Sequence, residues 1–462
     1  MMLADSFIVR IETLGCRLNQ TESEGLAFIF AEQGFPIFSK ENDSENVYLC
    51  VVNTCTVTSK AEQKARRLIR LLLKTHKKTC VLVTGCYAEL EAKVIEAIDE
   101  RVISFSGKGK DELSNLPVYI KTCLKNIEDI NGQKIKTIIL DFKKRLKNLK
   151  SSFQSNLLNI KTLKPSSTRL FSLSSPSFMF HSRATLKVQD GCNNACSFCR
   201  IRIARGKAIS LPIEDAIKRI KEIEGRGANE VVITGVNLSQ YESDGFNFTN
   251  LLETLLSNTK HIRIRISSLY PETITEEIIP IIREKRICPH FHLSVQSGSD
   301  DILQKMNRQY RRKDVYLAVE RIKRAKEKPF IGCDIITGFP SESEEDFYET
   351  ISMCRELKFT GIHAFPFSAR PGTLAFSMKE KIAERIACKR VDCLNEIAKI
   401  NYDEYIKLCQ YDEVFAIVEF TSDNKLFVTT ENYLHLPLVS SLKHFAGDEV
   451  RVLLEKDRAI LI

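Results

Sequence analysis

The residues best able to do chemistry are three thiols in one short loop. In Gly191-Cys192-Asn193-Asn194-Ala195-Cys196-Ser197-Phe198-Cys199 the cysteines stand at a C-x3-C-x2-C spacing directly after a strand-like run. That spacing suits an iron–sulfur cluster. A four-iron cluster normally takes four thiolates, so three ligands in one tight loop leave one iron open to an outside ligand, which makes a chemical site and not a structural staple. A structural zinc site closes on four ligands, usually as two C-x2-C pairs, and only Cys196 and Cys199 form such a pair here.

Other thiols fall into a second pattern. Ser6 to Thr13, Val47 to Asn53 and Cys80 to Thr84 read as strands, each followed by a helical pattern. Alternating strands and helices predict an open parallel α/β sheet. Cys16, Cys55 and Cys86 each lie just past the carboxyl end of one of these strands. In a parallel sheet those ends share one edge, where ligands bind, so thiols far apart in sequence can converge there. Position alone leaves a second cluster and three unrelated thiols equally open. Cys80 starts its strand and belongs about 20 Å from Cys86 at about 3.3 Å per residue. Cys80 and Cys50, which lies inside another strand, read as buried core thiols, and Cys123 has no partner in the pattern.

At 462 residues the chain needs two or three domains. No run approaches the roughly 20 apolar residues of a membrane span, and Met1-Met2-Leu3-Ala4-Asp5 lacks the regions of a signal peptide. A cytoplasmic protein without membrane attachment is expected. Fifteen cysteines then point to metal ligation plus buried thiols, because disulfides do not persist in reducing compartments. The net charge of +9 is compatible with a polyanionic partner and says nothing of fold.

The elements that must position these residues divide the chain at about 1–140, 141–180, 181–410 and 411–462. In the first part, a helix from Lys60 to Lys78 carries Lys60, Lys64 and Arg67 on one stripe and Arg66, Arg70 and Lys74 on the next. This is a solvated face or a phosphate contact. From Lys143 to Arg169 there are eight Lys or Arg and no acid, followed by a Ser-rich stretch, which reads as a basic linker. The third part offers six strand candidates that each feed a helix: Ala184 to Gln189, Glu230 to Thr234, Ile262 to Ser267, Phe291 to Gln296, Ile331 to Ile336 and Gly361 to Phe365. Six βα units predict a partial barrel with its chemistry at the carboxyl ends of the strands. The thiol loop, Thr234-Gly235-Val236-Asn237, Gln296-Ser297-Gly298-Ser299 and Thr337-Gly338-Phe339-Pro340 all fall at those ends. The last part alternates short strands, Glu413 to Phe420, Leu426 to Thr430, Tyr433 to Leu438 and Glu449 to Glu455, and predicts a small β-barrel. From Tyr411 it holds nine acids and five bases, so the positive charge lies elsewhere, and contact with RNA there would rest on a local face or on aromatics such as Phe427 and Tyr433.

The thiol loop resembles the radical S-adenosylmethionine (SAM) superfamily. Lys187 to Asn194, Ala204-Arg205-Gly206, Val295 to Ser299, Met306-Asn307-Arg308 and Asp334 to Pro340 are similar to the methylthiotransferases within it. Gly15-Cys16-Arg17-Leu18-Asn19, Asn53-Thr54-Cys55 and Thr84-Gly85-Cys86 resemble that family's auxiliary-cluster motifs. Arg263 to Ser268 and His363 to Thr373 resemble the MtaB group, and the C-terminal strands resemble a TRAM domain. Departures include Arg200-Ile201-Arg202-Ile203, where the family has Ile-Ile-Pro after the last cysteine, Ser341-Glu342-Ser343 for Gly-Glu-Thr, and Ser294 for Pro. They leave the chemistry intact and bear on substrate preference.

The resemblance implies two 4Fe-4S clusters, on Cys192, Cys196 and Cys199 for radical generation and on Cys16, Cys55 and Cys86 as the auxiliary cluster. It implies SAM near Thr234, Gly235, Asn237, Gln296, Ser297 and Gly338. The implied reaction is methylthiolation of C2 of N6-threonylcarbamoyladenosine beside the tRNA anticodon. The partners are then the tRNA anticodon stem-loop, a reductant such as flavodoxin or ferredoxin, and a sulfur source. A threonyl carboxylate calls for a cation, for which Arg202, Arg205 and Arg370 are the candidates. The competing readings are the same chemistry on isopentenyl-adenosine (MiaB-like) or on a ribosomal-protein aspartate (RimO-like), and an RNA-binding protein with structural clusters.

Overall fold

The computed structural model describes residues 7–38, 46–125, 130–156, 171–421 and 425–462, with 149–156 by backbone alone. It divides into two compact units, residues 1–179 with 200–207, and residues 180–199 with 208–462.

The first unit is built on four parallel strands, β1 (Ile8–Thr13), β2 (Val47–Thr54), β3 (Cys80–Gly85) and β4 (Val102–Ser104), in that spatial order. β2 and β3 are almost continuously apolar because both faces are covered, as parallel strands require. Alternate residues supply opposite cores: Leu49 and Val51 pack with Phe7, Leu26 and Phe30, whereas Cys50 and Val52 pack with Ile69 and Leu72. Helix α1 (Arg17–Glu32) follows β1, and α2 (Ser59–Thr75) follows β2. Thr58 starts α2 by accepting from the Ala61 N–H at 3.1 Å. Helix α3 (Cys86–Leu90) follows β3 directly. The three-residue β4 was not predicted from sequence; it is too short to carry a pattern of period two. Cys50 and Cys80 are buried core thiols, as expected.

The expected boundary near 140 falls inside a helix, Gly132–Asn156. Ile135, Ile139 and Phe142 of that helix belong to the core of the first unit, so its basic residues lie on an element anchored by an apolar stripe. Of the rest of the expected linker, which ran to residue 180, residues 157–170 lie outside the described residues, and Leu173 packs into the core of the first unit.

In the second unit, β5 (Ala184–Lys187), β6 (Glu230–Thr234) and β7 (Arg263–Ile266) pair in parallel with β6 at the centre. A second parallel set holds β8 (Ser268–Leu269), β9 (His290–Gln296), β10 (Phe330–Thr337) and β11 (Gly361–Pro366) in that order. The third predicted strand is observed as Arg263–Ile266, with the short β8 lying just beyond its predicted end at Ser267, and six βα units form the expected partial barrel. Along β9, Phe291, Leu293 and Val295 are fully buried, while His292, Ser294 and Gln296 lie half-buried on the opposite, more open face.

The C-terminal strands close into a five-stranded barrel: β12 (Glu413–Phe420), β13 (Leu426–Thr430), β14 (His435–Val439), β15 (Glu449–Glu455) and β16 (Arg458–Leu461). Closure removes the sheet edges that short strands would otherwise expose. This barrel is not a free-standing module: Phe330 and Tyr405 share its core. Arg265 donates to Glu230 at 2.7 Å and to the carbonyls of Thr430 and Glu431 at 3.1 and 3.0 Å, which ties β7 to the barrel. Tyr433, expected as an RNA-stacking aromatic, is instead stacked on His290 with centroids 3.9 Å apart and lies under Arg265.

Candidate functional site

The thiol loop of the second unit is held by residues on every side. Gly191 turns the chain after β5 at φ 67°. Its N–H donates to Asp190 at 2.7 Å, and buried Lys187 pairs with the same carboxylate at 2.7 Å. Gln189 donates to the carbonyls of Asp190 and Gly191 and accepts from the Asn237 N–H at 2.8 Å. Asn193 N–H donates to Gln240, and Asn307 donates to the Ala195 carbonyl. Ser197 N–H donates to the Met306 carbonyl at 3.1 Å, while Phe198 packs edge-on against Phe339. The backbone of the loop is therefore fixed, and the thiols have little freedom beyond their rotamers.

Each of two thiols meets a donor. Asn237 Nδ2 lies 3.9 Å from Cys192 Sγ, and Arg308 Nη1 donates to Cys196 Sγ at 3.2 Å. Burial pushes the Cys192 thiol up from its ordinary pKa. Arg308 is itself buried, with Tyr270 and Tyr310 under its guanidinium and the Ser294 carbonyl at 2.9 Å. Arg308 stood within a sequence motif, yet nothing in the string of residues linked it to Cys196.

The second set of thiols lies at the carboxyl edge of β1, β2 and β3. Cys16 is exposed, and Cys55 and Cys86 are buried. Gly85 holds φ 94°, and a Cβ there would lie 2.4 Å from the Thr54 carbonyl oxygen, so only glycine lets β2 and β3 end this close together. Asn19 donates to the carbonyls of Leu14 and Thr54, and Asn53 donates to the Asn19 carbonyl, which ties the loop bearing Cys16 to the end of β2. The Val57 N–H points at Cys55 Sγ at 3.5 Å. Burial, followed by the neighbouring Cys16, pushes the Cys55 thiol up to about 12.

The donor sets suit iron–sulfur clusters. Among the described residues, the one group of three candidate ligands closed within 4.8 Å of one another is His292, Asp334 and His363.

The remaining predicted site residues divide. Thr234, Gly235 and Asn237 adjoin the thiol loop through Gln189; a Cβ on Gly235 would meet its side chain at 2.9 Å. Gln296 ends β9 at φ 69°, Ser297 Oγ faces Thr350, and the Gly338 N–H donates to Glu342. Phe198 and Phe339 connect that last loop with the thiol loop. Arg202 is exposed and Arg370 is buried. Arg205 is committed elsewhere: it pairs with buried Glu22 at 3.1 Å and donates to Asn19 at 2.6 Å, close to Cys16. Arg200, a departure from the family pattern, is likewise buried and pairs with Glu62 and Glu91. On α2, Lys60, Lys64, Arg67, Arg70 and Lys74 are exposed, while Arg66 donates to Tyr87. Among the described residues no helix is long and apolar enough to cross a membrane.

Known proteins place this geometry. The Radical SAM superfamily matches residues 186–354, and Uncharacterized protein family UPF0004 matches residues 8–107. The chain is 47% identical to the threonylcarbamoyladenosine tRNA methylthiotransferase MtaB of Treponema pallidum (strain Nichols), over 99% of this chain and 100% of that protein. The protein of the same name from Aquifex aeolicus (strain VF5) is 34% identical, over 93% and 96% of the two chains. A tRNA-2-methylthio-N(6)-dimethylallyladenosine synthase of Syntrophus aciditrophicus (strain SB) is 30% identical over 90% and 84%. Among solved structures, the radical S-adenosylmethionine methyltransferase TsrM from Kitasatospora setae shares the fold, with a TM-score of 0.53 at 13% identity over 80% of this chain and 77% of that one.

Proposed function

The chain belongs to the MtaB family of radical SAM methylthiotransferases, and on that footing we propose that it methylthiolates C2 of N6-threonylcarbamoyladenosine, 3′-adjacent to the tRNA anticodon. The observation that carries this reading is the full-length likeness at 47% identity, which spans both thiol triads. The family's cofactors are SAM and two 4Fe-4S clusters. We assign one cluster to Cys192, Cys196 and Cys199, and the auxiliary one to Cys16, Cys55 and Cys86.

An aromatic C2–H bond is too strong and too little polarised for side-chain acid–base abstraction. When bound, these groups supply what side chains cannot: reductive cleavage of SAM to a 5′-deoxyadenosyl radical, and a sulfur that is methylated and passed to the substrate carbon. The protein aims them. Lys187, Asp190 and Gln189 fix the Cys192 loop, and Arg308 sets a positive charge beside Cys196. Asn19, Glu22 and Arg205 fix the loop bearing Cys16. In this reading Thr234, Gly235, Asn237, Gln296, Ser297 and Gly338 surround SAM. Arg205 is a positioning residue because Glu22 already holds it, and exposed Arg202 is the cation proposed for the threonyl carboxylate. The exposed bases of α2 contact RNA phosphates. A flavodoxin- or ferredoxin-type reductant, a sulfur source and a cytoplasmic setting complete the proposal.

Nucleoside mass spectrometry of tRNA from a deletion strain tests it. The methylthio-threonylcarbamoyl form disappears, returns with the wild-type chain, and does not return with Cys55→Ala. Loss of the isopentenyl-derived methylthio nucleoside instead would move the substrate to the dimethylallyl class. Reconstituted protein that never makes 5′-deoxyadenosine from SAM under a strong reductant would leave an RNA-binding protein with structural clusters.

A further inference from the structure

The geometry points to a mononuclear divalent-metal site separate from both thiol triads, formed by His292 on β9, Asp334 on β10 and His363 on β11. Strand register brings the three together: His292 pairs with Gly332, Asp334 pairs with His363, and Gly332 and Asp334 are two residues apart on one face of β10. A Cβ at position 332 would lie 2.8 Å from His292 Nδ1, so the glycine is what gives that imidazole its place beside the carboxylate.

Both imidazoles converge on one carboxylate oxygen. His292 Nε2 lies 3.0 Å from Asp334 Oδ1, and His363 Nδ1 lies 3.6 Å from the same atom, with the rings 4.9 Å apart. The second distance is longer than an ordinary hydrogen bond. Ligands held about 2.1 Å from one ion at mutual angles of roughly 90–110° stand about 3.0–3.4 Å apart, close to both observed separations. Two imidazoles and a carboxylate are the donor set of Zn2+ and Fe2+ sites that keep coordination positions open. The His363 side chain is 62% exposed against 13% for His292, so the open positions face the solvent side, where water or a carboxylate oxygen completes the sphere. Nothing in the proposed radical chemistry uses these three residues.

The test is calorimetric titration of the cluster-reconstituted full-length protein with Zn2+ under anaerobic conditions, with cluster absorbance followed in parallel. Data at the zinc absorption edge from crystals soaked in Zn2+ locate the ion. One equivalent binds the wild type; Asp334→Asn and, independently, His363→Ala weaken it at least tenfold while cluster iron and circular dichroism are unchanged. Should Asp334→Asn misfold, His363→Ala, at an exposed position, carries the test. Equal zinc affinity in wild type and His363→Ala, or an anomalous peak away from the three side chains, overturns the site. A raised KM for tRNA in His363→Ala with zinc binding unmoved makes the group a substrate contact and also overturns it.

Discussion

Arg308 donates through Nη1 to Cys196 Sγ at 3.2 Å and through Nη2 to the Ser294 carbonyl at 2.9 Å, so one guanidinium joins the thiol loop to β9. Its planar fork serves both partners and stacks on Tyr270 and Tyr310, which the point charge of a lysine cannot reproduce. A cation there stabilises added negative charge on a thiolate-bound group. Arg308→Gln is expected to lower the reduction potential of the Cys192 cluster and to slow 5′-deoxyadenosine formation at least tenfold, with cluster iron retained. Potentiometric electron paramagnetic resonance and iron analysis check both parts.

Gly85→Ala should remove one cluster only. A Cβ at this φ of 94° meets the Thr54 carbonyl oxygen at 2.4 Å and forces β2 and β3 apart where Cys55 and Cys86 must converge. Reconstituted protein should fall from roughly eight to roughly four irons per chain. Iron analysis and SAM cleavage are the measurements, and SAM cleavage should survive.

Glu230 and Arg265 predict a pH dependence of stability. Burial pushes the Glu230 carboxyl up, but attraction to Arg265, helped by Arg183 and Arg263, outweighs it and holds the group down at about 2. A depressed carboxyl stabilises the fold in full above its ordinary value near 4.5, and that contribution is lost as pH falls from there towards 2. Glu230→Gln leaves Arg265 buried without its counter-charge and should cost about 3–5 kcal/mol at pH 7. Urea unfolding of wild type and variant at pH 7 and at pH 4 should show the gap narrowing with acid.

Arg205 and Arg202 should separate structure from substrate binding. Arg205→Gln strips a charge partner from buried Glu22 and is expected to lower the melting temperature and the iron content of the Cys16 cluster. Arg202→Gln, on an exposed side chain, should leave melting unchanged and raise KM for tRNA carrying threonylcarbamoyladenosine. Thermal unfolding with steady-state kinetics distinguishes them.

Much of this molecule is legible in one dimension because its signals are local. Runs such as Val47–Thr54 and Glu413–Phe420 carry their strand state in their own side chains. The six βα units, the small barrel and the placement of both thiol triads at strand ends follow from order and spacing. The sequence could not say which charges would meet. Arg205 read as a free cation and proved to be the buried partner of Glu22, and Tyr433 read as an RNA platform and proved to be stacked on His290. The helix Gly132–Asn156 looked like linker by composition because its basic face outweighs the apolar stripe that anchors it. A charged or aromatic side chain has no periodicity that names its partner. Arg308 and Cys196 are 112 residues apart, and His292, Asp334 and His363 come from three strands. Such contacts exist only once the register of neighbouring strands is set, and that register was decided by the tertiary structure alone.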